Sequence, residues 1–163
     1  MSNTQRILIG IDPGKSGGIA WIRKALTTVG MVGCQKMPPT AADIADALQE
    51  FDLTLARVAV EQIGVGIPGR RGSQGMAKLN RNYGTILGVL AGLRIPHETV
   101  TAGKWQKAFG LTRTSKTETQ TAKKNRHKAK AQQLFPKLKI THATADALLI
   151  AEWLRRRELG ENK

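Results

Sequence analysis

The sequence predicts an α/β fold, a mixed five-stranded sheet flanked by helices, and three observations carry that expectation. The first is the run Ile7-Leu8-Ile9-Gly10-Ile11, almost unbroken in its apolar character. A strand-length run without polar alternation is buried on both faces and belongs in the middle of a sheet. The second lies directly after it. Pro13, Gly14, Gly17 and Gly18 force a tight turn into a second apolar stretch, Gly18-Ile19-Ala20-Trp21-Ile22, so the pair reads as a hairpin. The third is the order downstream, where strand and helix patterns alternate without internal repeats. A hairpin followed by strand, helix, strand, helix, strand and helices is the pattern of an α/β chain with a mixed sheet.

Taken in order, Val29 to Lys36 is the third strand, although its two glycines weaken the pattern. Pro38-Pro39 then breaks the chain. Thr40 is placed to cap a helix from Ala41 to about Phe51, with Asp43 in its first turn and Ile44, Leu48 and Phe51 on one face. Leu55 to Glu61 is the next strand and ends, like the first, in a carboxylate. Gln62 to Gly72 is a glycine- and arginine-rich loop. Ser73 to Leu93 reads as a long helix with Tyr83, Ile86, Leu87 and Leu90 among its apolar positions; Gly84, Gly88 and Gly92, four residues apart, point to close helix packing. Ile95 to Val100 is a short strand, and Thr101 is placed to cap a brief helix carrying Trp105. Leu111 to Thr121 is polar and reads as a mobile loop. Ala122 to Phe135 is a strongly basic helix ended by Pro136, and the last helix runs from about Thr141 to Arg157.

The chain has 163 residues, 40% hydrophobic and 23% charged, which suits one soluble globular domain spanning 1–163. No apolar run is long enough to cross a membrane, and the opening MSNTQR has no signal-peptide pattern, so the expected compartment is the cytoplasm. The single cysteine, Cys34, excludes an intrachain disulfide and a cysteine-cluster zinc site. Charge says more. The net charge is +14, and Gln62 to Thr141 carries 16 basic residues against two acidic ones, Glu98 and Glu118, leaving the remainder neutral. So one-sided a block predicts a surface for a polyanion, with nucleic acid the first candidate. The basic block has no amphipathic aromatic anchor for a membrane.

Three carboxylates border apolar elements: Asp12 and Glu61 at strand ends, and Asp146 within HATADALLIAEWL, where Leu149, Ile150 and Trp153 share its stripe. Gathered at one sheet edge they would repel one another, and an unpaired carboxylate there is costly. A divalent cation removes the cost, and hard oxygen donors suit Mg²⁺ or Mn²⁺. Two such ions about 3.5–4 Å apart can activate a water and stabilise the leaving oxygen of a phosphodiester. Taken singly, each acid is more simply a turn residue, an edge residue or an arginine partner. The three together make the metal reading.

IGIDPGKSGGIA, VAVEQ, GRRGSQGMAKLNRNYGTILGVL, VTAGKWQKAFG and HATADALLIAEW, in that order and over most of the chain, resemble the RuvC-like Holliday junction resolvases, especially their smaller phage and poxvirus branch. The resemblance implies a ribonuclease H-like fold, Asp12, Glu61 and Asp146 as ligands of two Mg²⁺ or Mn²⁺ ions, and a homodimer acting on branched DNA. Cleavage would leave 5′-phosphate and 3′-hydroxyl ends. In that setting the loop Ile63–Gly72 and the following helix face the junction centre, Arg70 and Arg71 contact phosphates, and Ile67 wedges between bases. Lys78, Arg81 and Lys116 join the expected DNA-contact set, as do Lys123, Lys124 and Arg126 of the basic helix, a face that is either phosphate-facing or simply solvated, and Lys104 or Lys107 would stabilise the pentavalent phosphate. The family usually has a further Asp or His three residues before the last Asp; here that residue is Ala143. Either His142, four residues before Asp146, takes its place, favouring Mn²⁺, or Ala143 marks a weakened or inactivated site.

Other patterns fail on inspection. Gly14-Lys15-Ser16 lacks the glycine that a phosphate-binding loop needs, because that position is Ile9. Gly64, Gly66 and Gly69 follow a strand, but no helix opens there and no acid follows until Glu98, which excludes a dinucleotide site. Asp12-Pro-Gly also resembles the first phosphate loop of sugar kinases and actin-like ATPases, which need a second domain that this length does not allow. No small-molecule cofactor is expected. Trp105 reads as packed core rather than a stacking platform. Two further functions remain open: a non-catalytic binder of structured nucleic acid, and a nuclease on RNA–DNA hybrids.

Overall fold

The computed structural model describes residues 6–24, 29–64, 73–112 and 115–160. Its strands are β1 (Arg6–Asp12), β2 (Gly18–Lys24), β3 (Val29–Lys36), β4 (Ala56–Gln62) and β5 (His97–Thr101). Its helices are α1 (Ala41–Gln49), α2 (Ser73–Gly92), α3 (Ala102–Ala108), α4 (Gln120–Leu134) and α5 (His142–Glu158), with a short 3₁₀ turn at Leu53–Leu55. The strands form one sheet in the order β3-β2-β1-β4-β5. β1 pairs antiparallel with β2 and parallel with β4, so the all-apolar strand is central, as its composition requires. β2–β3 is antiparallel and β4–β5 parallel, which makes the sheet mixed.

The two faces of the sheet are sorted by alternation along β1. Ile7, Ile9 and Ile11 face a core shared with Ile44 and Leu48 of α1 and Ile86 and Leu90 of α2. Leu8 faces the opposite core, built by α3, α4 and α5. Gly10 and Asp12 alternate onto that second side. On β4, Val58 and Val60 belong to the first core and Ala59 to the second, so Glu61 alternates onto the same side as Asp12.

α5 buries ten of its residues, from Thr144 to Leu154, because it lies on β1 and β2 with α3 and α4 alongside. Burial on that scale, roughly 1.5–3 kcal/mol for each large apolar side chain, makes α5 part of the core and not a surface helix. It comes so close to β1 that a Cβ on Gly10 would stand 2.2 Å from the Ala147 carbonyl oxygen and 2.3 Å from the Ala151 nitrogen. A glycine in a central strand, otherwise unfavourable, is the condition for that contact. The helix is fastened at its far end by ion pairs from Arg157 to Glu98 and from Glu158 to Arg6.

The expected elements are all present, with small shifts. The 3₁₀ turn, capped by Asp52, delays β4 to Ala56, and α4 begins at Gln120, capped by Thr119. Thr40 and Asp43 form the reciprocal cap of α1. One expectation needs correction. A Cβ on Gly84, Gly88 or Gly92 would meet nothing within 4 Å among the described residues, so the stripe packs no described helix of this chain. In the segment before α4, the Glu118 carboxylate is clamped by Arg126. No helix among the described residues is long and apolar enough to cross a membrane.

Candidate metal centre

Asp12 ends β1 and Glu61 stands one residue before the end of β4. Ile11 is in register with Val60, so these carboxylates lie side by side on neighbouring strands, at the carboxyl end of the parallel pair. Asp146 comes from the first turns of α5, one residue before the Ala147 carbonyl that crosses Gly10. The three acids are therefore brought together by strand register, strand alternation and the close seat of α5. The turn between β1 and β2 is equally constrained, since a Cβ on Gly17 would lie 2.2 Å from the Asp12 carbonyl oxygen.

Electrostatics shows the convergence. Burial, with a smaller contribution from Asp146, raises Asp12 to about 6, against lowering by the Gly14 N–H and by Lys124. Burial also raises Glu61 to about 8, reinforced by Asp12 and Asp146 and opposed by the Trp105 N–H and Lys123. Asp12 and Glu61 thus sit in a poorly solvated place within reach of the Asp146 charge, where removing a proton from either is costly unless a cation arrives. Lys124 and Lys123, at the start of α4, are the charges that oppose the rise in Asp12 and Glu61 respectively.

Each carboxylate has one oxygen tied. Asp12 Oδ1 accepts from the Gly14 N–H at 3.0 Å. Glu61 Oε2 accepts from Trp105 Nε1 at 3.2 Å. Asp146 Oδ1 is 2.8 Å from His127 Nδ1. Among the described residues no three His, Cys, Asp or Glu side chains already stand at liganding spacing. The donor set of hard, mutually repelling oxygens nevertheless suits Mg²⁺ or Mn²⁺, and Asp12, Glu61 and Asp146 are the residues that would hold them.

The other candidate residues lie on or beside α2, α3, α4 and α5. His142 is exposed at the start of α5, its Nε2 2.8 Å from Asn125 Oδ1. Ala143 is half-buried, with its carbonyl oxygen 2.8 Å from where a Cβ on Gly18 would stand. Lys104, exposed on α3, lies over the Trp153 ring, 5.7 Å from its centroid. Lys107 is exposed in the last turn of α3. Lys78 and Arg81 are exposed on the first half of α2, which is joined to the Asp12 turn by Asn82 Nδ2 donating to the Pro13 carbonyl. Lys116 is exposed before α4. Arg126 is half-buried and spent on Glu118, with bonds of 3.0 and 2.9 Å. Arg70, Arg71 and Ile67 lie outside the described residues.

Trp105 is fully buried core, as expected. Its hydrogen bond to Glu61 and the pairing of His127 with Asp146 were not visible in the sequence, because 44 and 19 residues separate the partners. The one signal available was the position of His127 within a polar helix, where a buried histidine needs a partner.

A scan against family models and a search of curated proteins return no match. Among solved structures, Thermus thermophilus RuvC in complex with Holliday junction substrate superposes with a TM-score of 0.60 at 18% identity, over 97% of this chain and 98% of that one. A second Thermus thermophilus RuvC structure gives 0.58 at 18% identity, over 96% and 98%. At that identity the likeness is one of architecture: the chain has the mixed α/β, ribonuclease H-like fold of RuvC.

Proposed function

We propose that this protein is a divalent-metal-dependent endonuclease acting on branched DNA, Holliday junctions first, and working as a homodimer in the cytoplasm. The observation that carries the reading is the placement of Asp12, Glu61 and Asp146 at one sheet edge by strand register and the close seat of α5, with the charges of Lys124 and Lys123 acting on the two strand acids. A fold-only role leaves three partly buried, mutually repelling acids without purpose. The solved complex of RuvC with a junction supports the choice of substrate class.

Bound at the carboxylates, Mg²⁺ or Mn²⁺ would supply a strong electrophile for the scissile phosphate and its incoming water. The chain's own part is positional. β1, β4 and α5 hold the acids, while Lys123 and Lys124 draw the backbone phosphates towards them. The exposed Lys78 and Arg81, on the helix tied to the Asp12 turn, extend the basic surface. Flaps and forks would use the same surface.

The test is cleavage of a four-way junction, a flap, a linear duplex and an RNA–DNA hybrid, with Mg²⁺ or Mn²⁺. Asp12→Asn is expected to abolish cutting and to leave junction affinity intact or improved. Normal cutting by that variant would sink the assignment, and preference for the hybrid would move it to ribonuclease H-type chemistry. Ala143→Asp adds an oxygen donor one turn before Asp146 and is expected to tighten Mn²⁺ binding and speed cleavage, read by calorimetry and by the same assay.

A further inference from the structure

We propose that His127 and Trp105 are positioning residues that each restrain one oxygen of the Asp146 and Glu61 carboxylates, leaving an arriving ion less to reorder. The inference rests on the reading of those carboxylates as a divalent-ion site. His127 comes from α4 and Trp105 from α3, and their rings meet edge to face, 5.2 Å between centroids and 75° between planes. Both are buried, at 1% and 0% exposure. One ring nitrogen of each lies against a carboxylate oxygen, at 2.8 Å for His127 and 3.2 Å for Trp105.

Three points set this pair apart from ordinary packing. First, the imidazole is held at a cost. His127 Nε2 is buried and has no hydrogen-bond partner among the described residues. An apolar side chain would fill the same space without stranding a nitrogen, so the bond to Asp146 is what the histidine contributes. Second, the pattern is shared by all three acids. Asp12 is held by the backbone N–H of Gly14, and the other two, which have no such backbone donor, are held by the two rings. Third, the geometry leaves work for the free oxygens. Among the described residues, the second oxygen of each carboxylate accepts no hydrogen bond, so tying one oxygen turns the other into an oriented donor. Without the ties, like charges would be freer to splay apart, and an arriving ion would have more to reorder. Outer donors of this kind typically change metal affinity by about ten- to a hundredfold.

The experiment is calorimetric titration of Mn²⁺ into the full chain without DNA, for the wild type, His127→Leu, His127→Asn and Trp105→Phe. Junction binding in EDTA and thermal unfolding in EDTA are measured alongside. His127→Leu and Trp105→Phe are expected to weaken Mn²⁺ binding by about ten- to a hundredfold, with junction affinity and cooperative unfolding kept. His127→Asn places an amide N–H where Nδ1 stood and is expected to recover most of the affinity. Wild-type Mn²⁺ affinity in both the Leu and Phe variants would overturn the proposal, as would failure of a folded Asn variant to recover. If the Leu variant does not fold, Trp105→Phe decides alone, since it keeps an aromatic ring and removes the donor. A wild type that binds no Mn²⁺ overturns the metal reading itself, an outcome distinct from variants that bind as the wild type does.

Discussion

Asp12 and Glu61 retain protons to about 6 and about 8 because burial comes first and their acidic neighbours second. The unfolded chain releases the same protons near 4. Their contribution to stability is therefore complete below that pH and is lost as pH rises through 6 and then 8. Metal-free protein should melt at a lower temperature at about pH 8.5 than at about pH 5, as far as these groups decide it. Asp12→Asn should remove part of that loss, raising stability at the alkaline end by up to about 3 kcal/mol. Calorimetric scans in EDTA check this, and parallel pH profiles for the two proteins would contradict it. Metal binding should run the opposite way, tightening between pH 6 and 8 as bound protons no longer need displacing. At this scale the sequence was informative about acids and silent about their holders. A carboxylate closing an apolar strand is conspicuous by itself. His127 becomes meaningful only once α4 lies beside α5, and Arg126, in sequence one more phosphate contact, turns out to be engaged by Glu118.

Among the elements, α5 and β1 form the contact on which the site depends, and Gly10 tests it. Gly10→Val would drive a side chain into the Ala147 carbonyl, and a loss above about 3 kcal/mol is expected in urea unfolding. Gly88→Ala makes the opposite case. Nothing lies within 4 Å of its Cβ position, so the variant monomer should gain about 0.5–1 kcal/mol from helix propensity. If α2 is a dimer contact, the same change should shift the monomer–dimer equilibrium in sedimentation. These two glycines mark how far the elements were legible. Hairpin, strands and helices could be read because periodicity and caps are local: Thr40 announces α1 and the apolar run announces β1. The partner of a glycine is not local, so the four-residue spacing on α2 identified a smooth face without saying that this chain leaves it open.

For the whole molecule, the excess of +14 predicts junction binding that weakens steeply with salt. Replacing Lys123 and Lys124 by alanine should flatten the log–log salt dependence by about 0.7–0.9 for each phosphate no longer neutralised. Fluorescence titrations across a salt series measure this, and unchanged slopes would show that α4 does not meet the backbone. The composition showed the size of the charge block but not its setting, which depends on the sheet. α1 holds Asp43 and Asp46 and no base, and it packs the face of the sheet opposite α4, which holds Lys123, Lys124, Lys128 and Lys130 and no acid. In the field of a polyanion that separation exerts a torque. A molecule so turned would meet a polyanion with its α4 side leading, so a larger share of first collisions would present Lys123 and Lys124.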